Sequence, residues 1–262
     1  MGSLRRAVVV GALAVALTAC GASADVTDRA GAPSGGDIAG DVLVFAAASL
    51  TDAFTEIGEI VERQHPQVTV TFNFAGSQQL ATQIIEGARA DVFASADQAQ
   101  MATVVDAGAV AGIPVVFARN QLAIAVEAGN PASVSSLRDL QRDDVTVVLA
   151  AEQVPAGRYT REALDRAGVT LAPVSLETDV RAVLTKVALG EVDTGIVYTS
   201  DLAAAGDRVD GVAIPDEHNV TATYPIATLA TAENPAGAQT FIDAVRSDSG
   251  RTVLKRAGFG AP

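Results

Sequence analysis

The sequence predicts an α/β protein built on largely parallel sheets with helices wound over both faces. From Asp41 onward, short runs rich in β-branched residues alternate with amphipathic helical patterns, and that alternation at this length is the signature of doubly wound sheets. Three of the runs also end on small residues directly before a helix start: DVLVFAAASLTDAF at 41–54, VTVTFNFAGSQQLATQI at 68–84 and VTVVLAAEQVPAGRYTREAL at 145–164. Ligands of such sheets bind at the carboxyl ends of the strands, where these junctions lie.

Taken in order, the apolar runs place strands at 41–46 (DVLVFA), 68–74 (VTVTFNF), 91–94 (DVFA), 121–127 (QLAIAVE), 145–149 (VTVVL), 195–198 (GIVY) and 225–230 (PIATLA). Between them, apolar residues spaced for one helical face predict helices near 50–64, 78–88, 97–107, 157–168, 179–189, 236–247 and 249–257. There is no tandem repeat and no long Pro/Gly linker after residue 40. Two segments look like crossings between lobes, Phe117-Ala118-Arg119-Asn120 and Ala222-Thr223-Tyr224-Pro225. Leaving one lobe at the first and returning at the second gives a lobe of 41–119 plus 225–262, a lobe of 120–224, and a two-strand hinge that permits closure.

The chain has 262 residues, 49% of them hydrophobic, so it can bury a sizeable core. Its formal charge is −13. Removing residues 1–19 takes Arg5 and Arg6 with it and leaves 16 basic against 31 acidic residues, a charge of −15. A surface so acidic excludes nucleic acid, which needs a basic stripe to displace counterions. One Cys and two distant His provide no metal-ligand spacing, and neither G-x-S-x-G, a Walker A sequence nor G-x-G-x-x-G occurs. The expectation is a binding protein without catalysis or cofactor.

The N-terminus reads as an export signal: Arg5 and Arg6, then 13 apolar or small residues from Ala7 to Ala19, too few to span a bilayer, which takes roughly 20. Leu17-Thr18-Ala19-Cys20-Gly21 resembles a bacterial lipobox, which implies cleavage after Ala19 and acylation of Cys20; the alternative is a passive small hydrophobe. The segment that follows, to residue 40, has the Gly, Ala, Ser and Asp content of a flexible tether with a reach of about 25 Å.

The strand-to-helix junctions carry the chemistry. A helix N-terminus leaves its first N–H groups unpaired and bears partial positive charge, so several converging on one point can hold an anion without lysine or arginine. Gly76 permits close approach of a ligand, and Pro155 suits the first turn of a helix continuing through Ala156. Plain capping is the alternative at each junction: Ser49 with Asp52 reads as a capping box, and Ser77 as an N-cap.

The segments VFAAASLTDAF (44–54), FAGSQQLATQI (74–84), ADVFASAD (90–97), VPAGRYTREAL (154–164), EVDTGIVYTSD (191–201) and KRAGF (255–259) together resemble the periplasmic molybdate-binding proteins of ABC importers, which are type II solute-binding proteins. The resemblance runs in order from about residue 41 to the C-terminus. It implies a two-lobed fold with the oxyanion held between the lobes by uncharged donors. Ser49 and Ser77 would each give a backbone N–H and a hydroxyl, Ala156 and Val180 backbone N–H groups, and Tyr198 its phenol. Without the resemblance, Tyr198 also reads as a buried cross-strand aromatic. Molybdenum would enter only as molybdate, tungstate would look alike, and sulfate is the alternative ligand. Phosphate, protonated near neutral pH, would be rejected for want of an acceptor among the five positions. Gly76 departs from the family pattern, which often has a hydroxyl residue there. The implied setting is a monomer anchored through Cys20 on the extracytoplasmic face of the cell membrane, passing its ligand to the importer's permease.

Overall fold

A computed structural model describes residues 38–262; the export signal, Cys20 and the tether up to residue 37 lie outside the described residues. The first half runs β1 (Gly40–Ala47), α1 (Thr51–Gln64), β2 (Val68–Ala75), α2 (Ser77–Ile85), β3 (Val92–Ala94), α3 (Gln98–Asp106) and β4 (Val110–Glu127). The second runs β5 (Val147–Ala150), α4 (Pro155–Ala167), β6 (Ser175–Glu177), α5 (Val180–Ala188), β7 (Thr194–Tyr198), α6 (Thr199–Ala205), β8 (Val209–Ala213), β9 (Thr221–Leu229), α7 (Pro235–Arg246) and α8 (Asp248–Arg256). No helix among the described residues is long and apolar enough to cross a membrane.

Period-two alternation along β1 decides how the first sheet is covered. Val42, Val44 and Ala46 join the core that contains Phe54 and Ile57 of α1 and Phe241 of α7. Phe45, one residue out of phase, joins Leu80 and Ile84 of α2 and Met101 and Val104 of α3 in a separate cluster. Helices therefore cover both faces, as doubly wound sheets require. Phe54 anchors the larger core, its ring 5.3 Å from Phe241 edge-on and 5.6 Å from Phe117. Aromatic pairs of this geometry add about 0.5–1.5 kcal/mol each beyond the area they bury.

The strands follow the order β2-β1-β3-β9-β4-β7-β5-β6, with β8 on β4. Pairing is parallel for β1 with β2 and β3, and for β5 with β6 and β7. Antiparallel pairing is confined to β9 and β4 and their partners β3, β7 and β8. The two parallel sets are the centres of two lobes, and the antiparallel strands are the ones shared between them.

β4 pairs with β9 from Val110 to Gln121 and with β7 and β8 from Leu122 to Glu127, so one strand serves both lobes. At the changeover Ala118 faces Tyr224, Arg119 faces Thr223 and Asn120 faces Ala222. Thus β4 and β9 form the two-strand hinge. β4 starts eleven residues before the strand expected at 121–127; Gly112 and Pro114, which break the pattern in the sequence, fall at a register irregularity between Ala111 and Val115. The short strands β6 and β8 and the seven-residue α6 have too little apolar periodicity to stand out in the sequence.

Candidate functional site

β1 ends in a single 3-10 turn, Ala48–Leu50, before α1 begins at Thr51. Ser49 sits in that turn, and its hydroxyl does not cap the helix. The alternative of a capping box with Asp52 does not hold: the Ser49 Oγ is 2.9 Å from the Tyr224 hydroxyl, and the Asp52 carboxylate accepts from Arg181 at 2.6 Å. At the second junction, too, the plain-cap alternative does not hold. Gly76 occupies the N-cap, Ser77 is the first residue of α2, and the Ser77 Oγ accepts the Ala96 N–H at 3.0 Å. With that acceptor role filled, the Ser77 proton is free to be donated elsewhere.

The third and fourth junctions come from the other lobe. Pro155 opens α4 and Ala156 is its second residue, so the Ala156 N–H belongs to the first turn, where no intrahelical acceptor exists. Asp179 caps α5 by accepting the Ala182 N–H at 2.9 Å, and the Val180 N–H, two residues earlier at the start of the helix, has no intrahelical partner. Tyr198 closes β7 and is 1% exposed. Its Oη has no hydrogen-bond partner among the described residues. Burial holds the phenol well above its ordinary pKa, so it remains a proton donor at physiological pH.

Ser49, Ser77, Ala156, Val180 and Tyr198 line one cavity, together with Ala47, Ala48, Ala75, Gly76, Ala96, Val154, Pro155 and Asp179. Neither Lys nor Arg is on its wall. The cavity volume is about 10 Å³, room for about one water molecule and far below the roughly 300–1,000 Å³ of an organic-ligand pocket. A small oxyanion is the class of ligand that suits four helix starts, three hydroxyls and so little room. Asp179 was not foreseen in the sequence; its Oδ1 is held by the α5 cap.

Three contacts join residues of 41–119 to residues of 120–224. Gln78 Nε2 of α2 donates to the Thr178 carbonyl at 2.9 Å. Arg158 of α4 pairs with Asp97, which caps α3, and Arg181 of α5 pairs with both Asp52 of α1 and the fully buried Asp201 of α6. Burial raises the Asp201 pKa to about 6 despite Arg181, and burial likewise raises Asp97 against the pull of the Gln100 N–H and Arg158. Arg158 and Arg181 are therefore paired with carboxylates, and neither lines the cavity.

Gly76 is where the opposite lobe's backbone comes close. A Cβ at this position would lie 2.6 Å from the Thr178 carbonyl oxygen of the opposite lobe as well as against the Gln78 amide. The amide can swing away, but the carbonyl is backbone. Gly76→Ser is expected to hold the lobes apart and to weaken ligand binding several-fold while leaving the melting temperature of the ligand-free protein unchanged. Calorimetry beside thermal melting checks this, and unaltered affinity would show that the gap can adjust.

Residues 42–260 match the family model described as bacterial extracellular solute-binding protein. The chain is 43% identical over 255 residues to the molybdate-binding protein ModA of Mycobacterium tuberculosis H37Rv, covering 97% of both chains. With the ModA of Escherichia coli K12 it shares 34% identity over 234 residues, 84% of this chain and 89% of that one. Its fold matches the periplasmic molybdate-binding protein of Azotobacter vinelandii with a TM-score of 0.77 at 18% identity, covering 84% of this chain and 99% of that one. A two-lobed frame, a cavity walled by helix starts and near full-length identity to ModA proteins agree that this is a solute-binding protein and not an enzyme. The chain belongs to the ModA-type, molybdate-binding family of bacterial extracellular solute-binding proteins.

Proposed function

We propose that this protein is the extracytoplasmic receptor of an ABC importer for molybdate, and that it takes tungstate equally because the two tetrahedral anions are nearly the same size. The observation that carries this reading is the convergence of Ser49, Ser77, Ala156, Val180 and Tyr198 on one cavity without a basic wall residue. The ligand would lie between a lobe of 41–119 plus 225–262 and a lobe of 120–224, with β4 and β9 as the hinge. Seven donors would meet it: the N–H and hydroxyl of Ser49 and of Ser77, the N–H of Ala156 and of Val180, and the phenol of Tyr198.

A desolvated dianion is tolerable only when nearly every lone-pair direction meets a donor. Charge-assisted hydrogen bonds contribute roughly 1.5–3 kcal/mol each. Seven of them, less the costs of ordering and closure, are enough for the ~12 kcal/mol of a nanomolar complex. A net charge of −15 after removal of residues 1–19 repels free anions, so affinity has to come from these short-range dipoles rather than from the overall field. Upstream, the reading places cleavage after Ala19 and lipid on Cys20, so that residues 21–40 tether a monomeric receptor to the membrane beside its permease.

Isothermal titration of residues 21–262, stripped of bound anion, with molybdate, tungstate, sulfate and phosphate in one buffer tests the assignment. Tight binding of the first two alone is expected. A preference for sulfate would keep the fold and move the ligand to the smaller dianion, and binding of none would remove the oxyanion reading.

A further inference from the structure

A buried hydrogen-bond chain runs from the hinge to the Ser49 hydroxyl, and its direction can be read from the donors that have no choice. The Gln121 backbone N–H donates to Asn120 Oδ1 at 3.0 Å, which fixes which end of the Asn120 amide is oxygen. Thr199 Oγ1 has its one proton within reach of the same oxygen at 2.8 Å and of the Gly258 carbonyl at 3.2 Å, so the Gln121 N–H alone sets the direction. The Asn120 Nδ2 group then faces two acceptors, Ser200 Oγ at 2.8 Å and Tyr224 Oη at 3.4 Å. Tyr224 Oη accepts from the amide, so its own proton is left for the one remaining neighbour, Ser49 Oγ at 2.9 Å. Tyr224 and Asn120 are 0% and 2% exposed, so no bulk solvent competes for these groups.

From this geometry we infer that Tyr224 and Asn120 are positioning residues for ligand binding: they fill the acceptor role of Ser49 and so commit its hydroxyl proton to the bound oxyanion. The inference rests on the molybdate reading above. Ser77 reaches the same state by another route, through the Ala96 N–H. Both serines of the first lobe are thus set as donors before a ligand arrives. Of the two devices, only the Ser49 chain passes through the hinge: Asn120 and Tyr224 lie on the facing segments of β4 and β9, and Thr199 and Ser200 directly follow Tyr198.

A fully deprotonated tetrahedral anion accepts from Ser49 at no cost. A protonated anion presenting its O–H to the same hydroxyl would need Ser49 to turn its proton away, and the proton on Tyr224 blocks the direction of the nearest oxygen. The chain therefore penalises protonated anions at a position that makes no contact with them.

A double-mutant cycle on the mature protein, with molybdate as titrant, separates this role from general packing. Tyr224→Phe keeps the ring, and with it the edge-on contact to Phe259 at 5.3 Å. It is expected to lower molybdate affinity about tenfold in the native background, but by less than twofold in a Ser49→Ala background, where no hydroxyl remains to be set. Thermal melting shows whether each variant is folded, and Asn120→Asp, which replaces the donor to Tyr224 by an acceptor, provides a second entry to the cycle. Its effect should likewise shrink when Ser49 is absent. Equal factors in both backgrounds, with native binding intact, overturn the positioning role alone. Failure of the native protein to bind molybdate overturns the functional reading and the role that depends on it.

Discussion

Ser77→Ala is expected to lower molybdate affinity by roughly tenfold to a hundredfold, about 1–3 kcal/mol, and to lower the stability of the ligand-free protein as well. The two effects have separate causes. In the complex, one oxygen of the anion loses its donor. In the free protein, the buried Ala96 N–H loses the Ser77 Oγ that accepts it at 3.0 Å, and an orphaned buried donor costs a comparable amount. Tyr198→Phe should split these effects. Its Oη is buried and unpartnered among the described residues, so removing the hydroxyl is expected to leave the ligand-free protein as stable as before or more stable, while affinity still falls by about tenfold. Calorimetry gives the affinities and melting of the stripped protein gives the stabilities. Should Tyr198→Phe bind molybdate as tightly as the native chain, the phenol would not be a ligand and the anion would have to lie nearer the serines.

That contrast also shows what could be read from the sequence. The strands that end at Ala47 and Ala75 and the helices that follow them stand out because hydrophobic period and small residues coincide there, and those features place Ser49 and Ser77 at their junctions. The alternating pattern likewise carries the parallel strands of both lobes. Partners are another matter. The local pattern at Ser49 and Asp52 is equally that of a capping box, yet the Ser49 hydroxyl bonds to Tyr224, 175 residues away, and Asp52 reaches Arg181, 129 residues away. A local motif cannot report such a choice, since capping and tertiary pairing use the same atoms and the larger core decides between them. Asn120 was legible as a crossing point but not as the amide that orients a hydroxyl. β8, with the sequence VDGVA, is a strand only because β4 supplies a pairing edge for it. Gly76 looked like a missing hydroxyl and turns out to be the place where the opposite lobe's backbone approaches.

Gly157→Ala should have the largest effect of any single methyl added to this protein, because it strikes at the seat of α4. An added Cβ would lie 2.0 Å from the Ala151 carbonyl oxygen and 2.4 Å from that of Ala150. Both are backbone atoms at the end of β5, so no side chain can rotate out of the way. Alanine favours a helix over glycine by about 1 kcal/mol, but overpacking of this kind costs about 3 kcal/mol or more, and the clash wins. At about 2–4 °C per kcal/mol for a chain of this size, the melting temperature should fall by roughly 4–8 °C. Affinity should fall further than stability alone implies, by at least about tenfold, because relief of the clash lifts the first turn of α4 and with it the Ala156 N–H by a distance that a hydrogen bond does not tolerate. Gly168, at the other end of the same helix, separates the two consequences. It adopts a left-handed conformation at φ 64° with open space around it, so Gly168→Ala strains the cap and costs about 1 kcal/mol of stability without moving the site. If both glycine variants lose stability while molybdate affinity stays native in each, the first turn of α4 does not hold the ligand, and the second lobe would have to grip it through Val180 and Tyr198 alone.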